Sequence, residues 1–191
     1  MARPRSEDKR QAIVRAATGL FAQEGLSAPT ARIAKAAGVA EGTIFVYFAN
    51  KDELLNQVYL ELKSQLRLSF ELPPASASVS LNERLEQFWT AYVAWGLRHP
   101  LERVTLSRLE VSDRITDASR ELAAQSFHDV IALLVEAMAL GVLRHQPPAY
   151  IGALCVAMAE ATIDFISQNP DSRKQTSADG FAAFWRALTA R

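Results

Sequence analysis

At 191 residues the chain is long enough for one medium domain, or one small and one medium, and too short for a multi-domain enzyme. An apolar share of 49% beside 22% charged residues excludes disorder and fibrous repeats, and no run of about 18 apolar residues announces a membrane span. The formal net charge is zero, which does not by itself announce a nucleic-acid partner, and residues 1–53 carry only a slight basic excess.

The opening MARPRSEDKRQ has basic residues but no apolar segment behind them, so a cytoplasmic chain is expected. The lone Cys155 fits a reducing compartment and rules out a cysteine metal cage. His99, His128 and His145 have no ligand spacing among them, so neither a metal nor any other cofactor is expected.

Hydrophobic spacing reads as helix throughout, giving an all-α protein of nine helices in two domains. The first helix spans 6–25, with Ser6 as N-cap, Ile13, Ala16, Ala17, Leu20 and Phe21 on one face, and Gly25 as its stop. Two short helices follow at 30–37 and 41–47, separated by Gly38-Val39-Ala40; neither is stable alone, so both must pack on the first. A fourth helix from Asn50 to about 72 begins with a box formed by Asn50 and Glu53. Pro73-Pro74-Ala75-Ser76-Ala77-Ser78 is a loop, and Ser80 with Glu83 caps the helix 80–98. Pro100 opens a helix to 110, and further helices are predicted at 117–140, 148–168 and 176–190. Residues 1–50 form the smaller domain and 51–191 the larger, with the fourth helix connecting them.

A short helix, a three-residue turn with glycine and a second short helix form the helix-turn-helix pattern, whose second helix enters the DNA major groove. Ala34 and Ala37 are small enough for a steep crossing, Gly38 can take positive φ, and Val39 and Ile44 close the small core. Ala40, Glu41, Gly42, Thr43, Phe45, Val46 and Tyr47 are left facing outward. Thr30 could cap its helix and aim N–H groups at a phosphate, Arg32 joins the basic residues of this face, and Lys51 could act likewise at the fourth helix.

Residues 30–55 resemble the DNA-binding signature of the tetracycline-repressor (TetR) family. The shared features are Thr30, Ile33-Ala34, Ala37-Gly38-Val39, Gly42-Thr43-Ile44-Phe45, Tyr47-Phe48, Asn50, Lys51 and Asp52. Ala16, Leu20, Phe21 and Gly25 extend the likeness backward, so it covers about the first third of the chain. The resemblance implies a homodimeric regulator, usually a repressor, binding operator DNA and a small effector. It assigns Thr30, Tyr47 and Lys51 to phosphates, and Thr43 with residues 41, 45 and 46 to bases. Three residues depart from the pattern. Ala40 removes the side-chain N-cap, Phe45 replaces a hydrogen-bonding tyrosine, and Val46 offers only apolar contact.

No phosphate loop, nucleophile elbow or zinc-protease motif appears beyond residue 73, so catalysis is not expected. Trp89, Tyr92 and Trp95 are pocket candidates because their polar atoms need partners when buried, whereas Phe88 reads better as core. Leu106, Phe127, Ile131, Met138, Cys155, Met158, Thr162 and Phe165 could face them, predicting a mainly apolar effector. Ala153, Ala157 and Ala161 on the eighth helix, with Phe181, Phe184, Trp185 and Leu188 on the last, could form a four-helix interface with a second copy. A competing reading is a helical ligand-binding or scaffold dimer whose head no longer binds DNA.

Overall fold

The computed structural model describes residues 6–70 and 79–189. Arg3, Arg5 and the loop 73–78 lie outside them. The described residues form helices α1 (Glu7–Glu24), α2 (Thr30–Ala36), α3 (Glu41–Tyr47), α4 (Lys51–Leu68), α5 (Leu81–Arg98), α6 (Pro100–Glu110), α7 (Asp117–Gln125), α8 (His128–Ala139), α9 (Pro148–Gln168) and α10 (Arg173–Leu188). A 3-10 turn, Pro170–Ser172, precedes α10. Among these residues the only β feature is an isolated bridge between Leu143 and Thr189.

The all-α class is as expected, with ten helices where the spacing predicts nine. The difference lies at 117–140, where the chain leaves the helix at Phe127 (φ −110°, ψ 18°). Nothing in the periodicity signals this break, because what sustains it comes from α4. Arg67 donates from Nε to the Ser126 carbonyl at 2.9 Å and pairs with Asp129 at 2.8 Å. Asp129 in turn accepts the Val130 N–H at 2.9 Å, so groups freed by the break find partners elsewhere.

The chain divides into two compact units: residues to Gln65 with His99–Ala124, and Leu66–Arg98 with the residues from Gln125 onward. In the first unit Ile13, Ala17, Phe21, Ile33, Ile44, Phe48, Leu54, Leu55 and Val58 are buried around the α1–α4 crossings. Val14 and Thr18 of α1 are buried too, whereas Ala16 and Leu20 are only partly covered. The buried face is turned toward α6, where Thr105 donates to the Thr18 carbonyl at 2.8 Å and Arg108 to the Phe21 carbonyl at 2.5 Å. Helix α6, beyond the expected 1–50 head in chain order, thus packs along its first helix.

Capping follows the sequence closely at two helices. Glu53 N–H donates to Asn50 Oδ1 at 2.9 Å, while the Glu53 carboxylate accepts the Ala49 N–H at 2.5 Å. Ser80 and Glu83 exchange reciprocal bonds of 2.8 and 3.2 Å. Ser6 occupies the N-cap of α1, yet its side chain makes no cap bond.

In the second unit α5, α9 and α10 form the main packed group. Trp89 of α5 donates its Nε1–H to the Ser177 carbonyl at 3.0 Å and stacks on Phe184 at 5.7 Å between centroids. Helix α9 is long and apolar enough, by length and composition, to cross a membrane. Its buried stripe of Ile151, Cys155, Ala159, Thr162, Ile163 and Ile166 instead faces the bundle, as in a core helix.

Candidate nucleic-acid interface

The turn between α2 and α3 depends on Gly38, whose φ of +68° is the left-handed conformation that disfavours a side chain. Val39 N–H donates back to the Ala34 carbonyl at 3.0 Å, closing the turn, and Ile44 anchors α3 by complete burial. Ile44 fixes the helix phase, so Glu41, Gly42, Phe45 and Val46 are exposed and Thr43 is half-buried. Phe45 and Val46 retain 49% and 52% of their accessible surface, two adjacent apolar groups open to solvent on this face.

Ala40 is the N-cap of α3 and provides no side-chain bond, as its identity implies. Thr30 differs from its expected capping role. Pro29 holds the N-cap position of α2, and the Thr30 hydroxyl, one residue inside, donates to Glu41 Oε1 at 2.8 Å. A bond therefore links the starts of the two helix-turn-helix elements. Arg32 is also engaged, paired with Glu24 at 2.6 Å on the exposed side of α2.

Tyr47 is half-buried, and its phenolic oxygen accepts the Ser6 N–H at 3.0 Å, tying the end of α3 to the start of α1. Lys51 opens α4 on the same unit. Burial, and then the nearby Arg114 guanidinium, push its ammonium below the usual lysine value, with Asp52 acting in the opposite direction.

Arg114 had no sequence signal, since only folding brings the 111–116 connection to α4. It pairs with Asp52, while Asn56 donates to the Arg114 carbonyl at 2.9 Å and accepts the Thr116 N–H at 3.0 Å. Nearby, Glu110 meets Lys63 and Tyr59, and burial followed by the Glu110 charge pushes the Tyr59 hydroxyl up to about 12.

Of the expected pocket residues, Trp89 and Thr162 come together at Gly180 of α10, and the others occupy several settings. Trp89, Tyr92 and Trp95 are buried, and Tyr92 donates its hydroxyl to Glu160 Oε1 at 3.1 Å. Leu106 is buried in the first unit, on α6. Phe127 and Phe88 pack around Phe70, and Met138 and Met158 are partly covered. Thr162 is buried and bonded to the Met158 carbonyl at 2.8 Å. Cys155 is buried as well, and burial pushes its thiol up to about 12. Ile131 and Phe165 depart from expectation, with 39% and 53% exposure. Val130, Leu133, Leu134 and Ala137 take the inner face of α8, and the inner stripe of α9 leaves Phe165 outside. A cavity of about 560 Å3 lies between α5 and the start of α10, lined by Glu86, Thr90, Val93, Arg173, Lys174 and Phe181 among others.

The two halves of the expected partner surface also separate. Ala153, Ala157 and Ala161 are exposed on α9. Phe181, Phe184 and Leu188 are buried in the chain's own core, with Trp185 partly covered, because α10 turns its aromatic stripe onto Trp89. Those three are therefore corrected to core residues of the single chain.

Residues 13–58 match the family described as bacterial regulatory proteins, tetR family. The chain is 24% identical over 181 residues to the HTH-type transcriptional regulator YhgD of Bacillus subtilis strain 168, covering 91% of this chain and 92% of that one. A tetR family transcription regulator from Shewanella sp. PV-4 is 28% identical, with a TM-score of 0.84 over 98% of this chain and 100% of the other. The fold is shared with a second regulator, from Marinobacter aquaeolei VT8, 20% identical with a TM-score of 0.84 over 97% of both chains.

Proposed function

We propose, for a chain that belongs to the TetR family of transcriptional regulators, that it acts in the cytoplasm as a homodimeric repressor of a palindromic operator, released by a small, mainly apolar effector. It works by binding, with no catalytic step. The observation that carries this reading is α3: seven residues pinned by Ile44 beneath and Tyr47 at the end, presenting Phe45 and Val46 to solvent. A helix so held is rigid enough to dock in a major groove, where each apolar side chain can meet a thymine methyl. Thr43, Phe45 and Val46 face bases in this reading, and Lys51 neutralises a phosphate.

The homodimer would form through the outward faces of α8 and α9. Ile131 and Val135 on α8, with Ala153, Val156, Ala157, Ala161 and Phe165 on α9, are exposed in the single chain. Small residues permit close helix approach, and a self-complementary patch suits a two-fold axis. The effector would shift the population between two spacings of the paired heads.

Selection of duplexes from a random-sequence pool by the purified protein tests the reading. Enrichment of a palindrome, with affinity falling steeply as salt rises, is the expected result. No enrichment, with or without removal of small molecules by refolding, would leave a helical binding protein without DNA function.

A further inference from the structure

The outward face of α3 is poor in groups that can hydrogen-bond a base. Gly42 offers none, Phe45 and Val46 are apolar, and Thr43 has a single half-buried hydroxyl. Glu41 is the exception, and its charge runs against the polyanion it would approach. An exposed carboxylate on this face weakens binding to any phosphate backbone, so its presence calls for a compensating contact.

Resting on the reading of α3 as the DNA-contacting helix, we propose that Glu41 selects cytosine at one position of each half-site and that Thr30 orients it. Glu41 is the first residue of α3, where a recognition helix meets the groove floor. Its Oε1 is held by the Thr30 hydroxyl at 2.8 Å, a bond crossing from α2 to α3. Its Oε2 accepts no hydrogen bond from the described residues, leaving one acceptor exposed on this face.

An ionised carboxylate only accepts, so it must find a donor in the major groove. Cytosine offers its N4 amino group. Adenine offers N6, but with the N7 acceptor beside it, which repels the second carboxylate oxygen. Guanine presents two acceptors, and thymine an acceptor and a methyl group. Cytosine is thus the base that satisfies Glu41 without opposing it; guanine and thymine leave a desolvated carboxylate unpaired, and adenine sets its N7 acceptor against it. Specificity then arises as much from the penalty as from the bond. Because Thr30 spends its hydroxyl proton on Glu41, it serves here as a positioning residue rather than a phosphate donor.

The test uses the full chain and its Glu41→Gln, Glu41→Ala and Thr30→Val variants, with far-UV circular dichroism as the check on folding. Duplexes are selected from a random pool, and affinity is then measured for the winning site and its single-base changes. For the unaltered protein, replacing the cytosine of one half-site should weaken binding roughly tenfold, near the lower end for a good base contact. Glu41→Gln should move the preference at that position to adenine, whose N6 and N7 match an amide. Glu41→Ala should cut discrimination there to about twofold, with other positions unchanged, and Thr30→Val should reduce it in part. If Glu41→Gln and Glu41→Ala alter affinity by one factor on every sequence, the carboxylate merely sets local charge and the proposal is overturned. If the unaltered protein enriches a site lacking cytosine dependence, the proposal fails while DNA recognition stands. If it enriches nothing, the DNA-binding reading falls and this proposal with it.

Discussion

Gly180 of α10 and Thr162 of α9 meet so closely that a Cβ at residue 180 would lie 2.6 Å from the Thr162 hydroxyl oxygen, with Trp89 Cζ2 at 2.8 Å. The absence of a side chain at 180 is what lets α10 settle on both helices. Thr162 is held by its own bond to Met158, and Trp89 by its bond to Ser177, so neither neighbour can swing away freely.

Gly180→Ala should therefore destabilise the protein although alanine is the better helix former by about 1 kcal/mol. Overpacking of about 1–3 kcal/mol opposes that gain. Gly19, in the interior of α1, has nothing within 4 Å of a built Cβ and supplies the contrast. Gly19→Ala should stabilise by about 0.4–1 kcal/mol. Thermal melts of the two variants should shift in opposite directions, and a rise for Gly180→Ala would show that the crossing can open at little cost.

Lys51 and Thr43 should separate phosphate from base contacts. Lys51→Ala should weaken all sequences alike and reduce the salt dependence by about 0.9 in log-log slope, one phosphate's share. Thr43→Ala should leave that slope intact and change the preferred base. Titrations at four salt concentrations on selected and scrambled duplexes distinguish them, and an unchanged slope for Lys51→Ala would remove it from the phosphate contacts.

The Ser80–Glu83 box gives α5 a pH-sensitive start. Bonds from the Ser80 backbone and then its side chain hold the Glu83 carboxyl below its usual 4.5. The folded pKa is depressed, so the stabilisation is complete above the unfolded value and is lost as pH falls through the folded one. Melts of Glu83→Gln and the unaltered protein should differ at pH 7 and draw together as pH falls below 4.5 through the folded carboxyl's lowered pKa, with no sign reversal. A difference undiminished in acid, where the carboxyl is protonated, would mean that the charge is not what Glu83 contributes.

Ala157 tests the partner surface. It is exposed on α9 between Ala153 and Ala161, so Ala157→Arg should be tolerated by the single chain and obstruct a close helix approach. Sedimentation should show a dimer for the unaltered protein and a monomer for the variant, with equal helicity. A dimer retained in the variant would place the contact elsewhere.

The helical class, the short-helix pair with Gly38 between, and the Asn50 and Ser80 caps were legible in the sequence because each depends on neighbours within a few residues. Periodicity, positive φ and capping are local, and so is the family signature, which lies in one continuous segment. The break at Phe127 was not legible, since Arg67 that sustains it lies about sixty positions earlier. Nor was the inward turn of Phe181, Phe184 and Leu188: a helical stripe states that a face is apolar, not whether its own chain or a partner will cover it. The pairing of Thr30 with Glu41 and the approach of Arg114 to Asp52 likewise required the packed helices. Local chemistry determined which elements form; burial of competing apolar faces decided how they turn, and with that which side chains remain to meet another molecule.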